Sequence, residues 1–119
     1  MGKNKLLGER GEKIAQQYLQ SHGFKILTCN YRVGRYELDI IASYKNRTVF
    51  IEVKTRTQGN QGYRDNQLTK NQTMRLKKAL LHYSLINHLD FKSISLDLIT
   101  ISFNPENRLA QLRHYRNIL

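Results

Sequence analysis

Glu37-Leu38-Asp39-Ile40-Ile41-Ala42 and, after a hairpin-sized gap, Val49-Phe50-Ile51-Glu52-Val53-Lys54 decide how this chain folds. Both stretches are short, apolar and rich in Ile or Val. Tyr44-Lys45-Asn46-Arg47 joins them, so they read as neighbouring strands. Two-residue alternation gives one apolar face made of Leu38, Ile40, Ala42, Val49, Ile51 and Val53. The other face mixes Glu37, Asp39 and Ile41 with Phe50, Glu52 and Lys54. Glu52 and Lys54 point the same way, roughly 7 Å apart along their strand. Charges that interrupt otherwise apolar strands need a physical reason. Two carboxylates beside an ammonium group are what a magnesium-dependent phosphodiesterase requires: oxygen anions for a hard cation and a fixed positive charge near the attacked phosphate.

Working outward, Leu7, Gly11, Ile14, Ala15, Tyr18 and Leu19 recur at helical spacing, which predicts a first helix over 6–21 with Gly23 as its stop. Phe24 to Asn30 reads as a strand. Between Thr55 and Gln67 lies a polar loop with Gly59, Gly62 and Tyr63, a composition suited to a binding loop. Thr69 and Gln72 form a capping box for a second helix, whose Leu76, Ala79, Leu80 and Tyr83 make an apolar stripe. Ile94 to Phe103 is a strand, Asn104-Pro105-Glu106-Asn107 a turn, and Leu109 to Tyr115 a returning strand. The order helix, three strands, helix, two strands predicts an α/β fold: a mixed sheet with helices packed against it.

At 119 residues the chain fits one domain. Its 20 Lys+Arg against 9 Asp+Glu give a net charge of +11, so nucleic acid is the first partner to consider and a membrane surface the second. No long uncharged apolar run suits a spanning helix, and Leu6 breaks the myristoylation pattern after Gly2. The lone Cys29 has no Cys or His at zinc-ligand spacing and reads as a small core residue. A cytoplasmic protein without membrane association is the simplest reading. The four histidines form no ligand set, and no phosphate-cradling glycine motif is present, which argues against zinc hydrolases and nucleotide-driven motors.

Acids are scarce, so their positions are informative. Glu9, Glu12, Glu37, Asp39 and Glu52, five of the nine, lie in the first 52 residues. Buried like charges raise one another's pKa unless a cation is present. Glu12 sits at the edge of the first helix's apolar stripe and can lean toward the sheet, whereas Glu9 turns to solvent. A Glu-x-Lys tripeptide alone is an ordinary exposed pair. An aspartate on the preceding strand, a helical glutamate and a basic remainder together favour a nuclease-type site.

Gly11-Glu12, Tyr18-Leu19, Gly23-Phe24, Asn30-Tyr31-Arg32, Glu37 to Ala42 and Phe50-Ile51-Glu52-Val53-Lys54-Thr55-Arg56 resemble the small bacterial YraN-like family; Lys70, Ala79 and Asp97 continue the match. That family is similar to Holliday junction resolvases and to the restriction-endonuclease-like PD-(D/E)xK nucleases. The resemblance implies one restriction-endonuclease-like domain over residues 1–119 and catalytic positions at Glu12, Asp39, Glu52 and Lys54. It also implies Mg²⁺, with Mn²⁺ as substitute, held by Asp39, Glu52 and the Val53 carbonyl, with Lys54 positioning the attacking water. Junction-cleaving relatives act as dimers, which makes a homodimer the expectation by analogy. The chain departs from the family at Tyr36, where Gly is usual, and at Ser95-Leu96, where Arg-Phe is usual. Asp97 is therefore read as structural.

Between Val53 and Ser84 stand seven Lys/Arg against Asp65 alone. Arg56, Arg64 and Lys70 are the expected contacts to nucleic acid, most naturally DNA, being nearest the site in sequence; Arg75 and Lys78 fit a solvated helix face equally well. Tyr63 is a candidate for base stacking. Three function classes follow: a metal-dependent endonuclease for branched or structured DNA, a non-catalytic nucleic-acid-binding module, and an accessory protein with an acidic partner.

Overall fold

The computed structural model describes residues 2–58 and 68–119, with side chains from residue 5 onward. Helix α1 spans Gly2–Ser21, strands β1, β2 and β3 span Lys25–Val33, Tyr36–Tyr44 and Arg47–Thr57, and helix α2 spans Lys70–Ile86. A short 3-10 turn at Phe91–Ser93 leads into β4, Ile94–Phe103, and β5 closes the sheet at Ala110–Tyr115. The sheet order is β1-β2-β3-β4-β5. Only β3 and β4 pair in parallel, as expected where a helix-bearing crossover joins them; the other neighbours are antiparallel. This is the mixed α/β architecture predicted from the element order.

Local chemistry explains the joints. Gly23, at φ +90°, ends α1, and the Phe24 N–H donates to the Leu19 carbonyl at 2.9 Å. Gly34, at φ +60°, opens the two-residue turn between Val33 and Tyr36. Lys45 and Asn46 both take left-handed backbone, the primed turn that suits a tight hairpin. The capping box forms as predicted: the Gln72 N–H donates to Thr69 Oγ1 at 3.1 Å and the Thr69 N–H to Gln72 Oε1 at 2.8 Å. Helix α1 starts four residues earlier than its apolar stripe indicates.

Each helix covers one face. Ala15 and Leu19 of α1 pack on Ile40, Ala42, Val49, Ile51, Ile99 and Ile101, while Leu76, Ala79 and Leu80 of α2 pack on Leu38, Ile41, Phe50 and Leu96. Leu38 therefore does not share the face of Ile40 and Ala42, contrary to what alternation predicts. The ladder between β1 and β2 skips Asn30 and Asp39, and Asn30 adopts φ +53°. Beyond Ile40–Ile51 the pairing of β2 with β3 ends, and the Val53 N–H donates instead to the Asp39 carboxylate at 2.9 Å. Strand β2 bends at Asp39. The bend sends Leu38 to the α2 side and turns the acids flanking it toward α1.

Candidate metal centre

Helix α1 carries Glu12 to this bend because Gly11 lets it approach β3 closely. A Cβ at Gly11 would overlap Thr55 Cγ2 and stand 3.0 Å from Thr55 Cβ, whereas one at Gly8 meets nothing within 4 Å. Gly11→Ala should destabilise the fold by roughly 1–3 kcal/mol through overpacking. Gly8→Ala, an exchange inside the same helix, should stabilise it by about 0.5–1 kcal/mol. Thermal unfolding of the two variants checks the pair, and equal effects would contradict the close approach.

Glu12, Glu37 and Asp39 each offer one oxygen, and the three lie within 4.8 Å of one another. They form the one cluster of three or more metal-ligating side chains of that compactness found among the described residues. Glu52 approaches Asp39 from β3. Burial, then a hydrogen bond and repulsion from Asp39, push the Glu52 carboxyl up to about 10, against the pull of the Lys54 charge. Burial, then repulsion from Asp39 and Glu37, push Glu12 up to about 7. Asp39 thus sits between them: it raises both carboxyls and accepts the Val53 N–H. Burial, with the charges of Glu12 and Asp39, also raises the pKa of the Cys29 thiol, which argues against a nucleophilic thiolate.

Two clefts meet at these acids. On the α1 side, about 380 Å³ is lined by residues that include Lys5, Glu9, Glu12, Asn30, Val53 and Thr55. On the α2 side, about 280 Å³ is lined by residues that include Arg35, Tyr36, Glu52, Gln72 and Arg75. Glu37 and Asp39 line both.

The donors fit a hard divalent cation. They are carboxylate oxygens and a backbone segment, without thiolate or imidazole, which suits Mg²⁺ or Mn²⁺ rather than zinc. Without such an ion, the crowded negative charge is relieved by protons on Glu12 and Glu52. The consequence for stability has a definite sign. Both groups keep protons in the folded chain at pH values where the unfolded chain, with its ordinary value of 4.5, has lost them. The unfolded state then binds fewer protons, so metal-free stability falls as pH rises above 4.5. Glu12 completes its part near pH 7 and Glu52 near pH 10. Solvent screening reduces the share of half-exposed Glu12. Melting in EDTA between pH 5 and 10, compared with Glu52→Gln, should show the variant losing much of the alkaline decline. Mn²⁺ should raise the melting temperature more at higher pH, because ligation displaces those protons. Parallel wild-type and Glu52→Gln curves would contradict the assignment.

The expected nucleic-acid contacts are placed differently. Arg56 is buried, at 8% exposure, so its side chain is not presented on the surface as the sequence reading expects. Lys70 is exposed at the start of α2 and lines a groove with Leu68, Thr73, Met74, Lys77, Lys78 and Leu81, distinct from the two acidic clefts. Arg64 and Tyr63 lie outside the described residues. Arg75, one helical turn beyond the capping box, and Arg35, in the β1–β2 turn, line the Glu52 cleft instead. Glu37 joins the acid cluster unexpectedly; its position two residues before Asp39 on one strand is the signal that points to it.

The family model described as "Uncharacterised protein family UPF0102" matches residues 11–101. A UPF0102 protein of Caldanaerobacter subterraneus subsp. tengcongensis is 37% identical over 114 residues, covering 95% of this chain and 93% of its own. Another, from Desulfitobacterium hafniense, is 36% identical over 114 residues, covering 94% of each chain. Among solved structures, Pyrococcus furiosus SfsA in complex with Ca²⁺ is similar at 15% identity and a TM-score of 0.40, with 95% of this chain and 63% of that one covered. No helix among the described residues is long and apolar enough to cross a membrane. With a family match over residues 11–101 and relatives alike along nearly their whole length, the chain belongs to the UPF0102 family.

Proposed function

We propose that this protein is a divalent-metal-dependent phosphodiester hydrolase acting on DNA, branched or structured DNA in particular. The observation that carries the reading is the cluster of Glu12, Glu37 and Asp39, one oxygen of each within 4.8 Å of the others, with Glu52 lining the adjoining cleft beside Asp39. The net charge of +11 supports a polyanionic substrate.

Asp39, Glu52 and the Val53 carbonyl would hold the ion, with Glu12 and Glu37 on its α1 side. Bound Mg²⁺ or Mn²⁺ supplies positive charge that offsets the negative charge developing on the phosphodiester. Lys54 presents an ammonium group beside Glu52, where it positions the attacking water and steadies the phosphate. Glu12, which offers an oxygen within 4.8 Å of one on Asp39, would accept a proton from that water. Asp39 fixes the Val53 backbone through its N–H and so sets where the neighbouring carbonyl and Lys54 stand.

The test is incubation of flaps, four-way junctions, single strands and duplexes with Mg²⁺, Mn²⁺ or EDTA. The reading expects cleavage with either ion and none in EDTA, together with calorimetric binding of Mn²⁺. Salt-sensitive binding without cleavage under every metal condition would favour a non-catalytic nucleic-acid module instead.

A further inference from the structure

The α2-side cleft combines an acidic floor with basic walls. Asp39, Glu52 and Glu37 line it together with Arg35, from the β1–β2 turn, and Arg75, from the second turn of α2. Both arginines are exposed, and Arg75 is held partly in place by Nε donating to the Asn71 carbonyl at 3.4 Å. Guanidinium groups beside a cation-binding floor are suited to phosphates flanking the one presented to the ion. Tyr36 adjoins Arg35 in the same cleft; it is half-buried, and Lys78 Nζ lies 5.9 Å from its ring centroid. At about 280 Å³ the cleft is at the small end of ligand sites, a slot for one nucleotide unit rather than a trough for a duplex.

From this juxtaposition we propose that Arg35 and Arg75 clamp consecutive phosphates of a single strand, with the Tyr36 ring stacking on an unpaired base, so that the preferred substrate carries a single-stranded segment at the acids. The inference rests on the hydrolase reading and adds to it a strand class and its contacts. An aromatic ring in a basic groove is the sequence-tolerant means of holding unpaired bases, and an arginine pair fixes the backbone without reading sequence.

The experiment is fluorescence anisotropy of labelled single-stranded and duplex oligonucleotides of one sequence, in EDTA, across a salt series. Wild-type protein should prefer the single strand. Arg35→Ala and Arg75→Ala should each lower the salt slope on the single strand by about 0.7. Tyr36→Leu, which keeps an apolar contact to the α2 layer, should weaken single-strand binding about fivefold or more and leave duplex binding unchanged, while Tyr36→Phe restores it. Unchanged melting temperatures show that these variants fold. Wild-type slopes in both arginine variants, equal losses on single strand and duplex for Tyr36→Leu, or a wild-type preference for duplex would each overturn the proposal. The two readings fail separately. Binding that follows these expectations without cleavage in Mn²⁺ supports the clamp and removes the hydrolase; cleavage indifferent to all three positions removes the clamp alone.

Discussion

Asp39→Asn should abolish metal-dependent cleavage and Mn²⁺ binding while leaving the chain folded. Loss of an outer-sphere partner alone costs roughly 10–100-fold in metal affinity or activity, and removing a central carboxylate should exceed that. Asparagine keeps a carbonyl oxygen for the Val53 N–H, the contact that replaces a backbone pair where β2 leaves β3. The melting temperature should therefore stay near the wild-type value. Removing the Asp39 charge should also let Glu12 and Glu52 return toward ordinary carboxylate values, since Asp39 acts on both. Asp39→Ala is the informative contrast: it deletes the acceptor as well and should cost a further 1–3 kcal/mol or so for the stranded N–H. Full cleavage by Asp39→Asn would end the proposed mechanism.

Asp97→Ala should be the most damaging single change to stability outside the apolar core. The Asp97 and His114 side chains are each 5% exposed and meet at 2.7 Å between Oδ2 and Nε2. The second Asp97 oxygen accepts the Asn117 N–H at 2.9 Å, and His114 Nδ1 lies 2.9 Å from the Tyr18 hydroxyl. One carboxylate thereby ties β4, β5, the C-terminal tail and helix α1. Removing it strands a buried imidazole and a backbone donor, a loss of roughly 1–3 kcal/mol for each. Asp97→Asn should lose less, because the imidazole can exchange tautomers and accept from the amide while donating to Tyr18. Chemical denaturation of both variants measures the difference, and a loss under about 1 kcal/mol for Asp97→Ala would refute the tie. Asp97 lines a cavity of about 160 Å³ with Phe24, Tyr44 and Arg116, away from the acid cluster. Its variants should therefore change cleavage only through folding.

Much of this architecture is legible in the residues. The β-branched runs give β2 and β3, the Thr69–Gln72 pair gives the start of α2, and Ile94–Phe103 matches β4 at both ends. Charges inside apolar strands also lead to Asp39 and Glu52. Two-residue alternation fails at Leu38, because the bend depends on a left-handed Asn30 and on a side chain standing in for a backbone partner. Neither carries a periodic signal. Sequence distance from the acids likewise misleads for the basic residues. Arg56 is close in the chain and becomes covered, and Lys70 opens α2 but lines a different groove, beside Lys77 and Lys78. Arg75 is further along yet returns to the acids after one helical turn. Read one by one, the histidines do not reveal that His114 pairs with Asp97 across β4 and β5.

The antiparallel run from β1 to β3 has consequences for the order of assembly. Its turns are two residues long, and all the acids of the cluster lie in it or in the helix before it. Such hairpins close within microseconds. The parallel register of β3 with β4 must wait for the long excursion through α2, whose closure entropy makes it the slower event. A nascent chain would thus gather its anions before the Asp97 tie exists to hold the far end of the sheet. If the proposed cation binds there, it should quicken compaction of the N-terminal half before the parallel pairing forms.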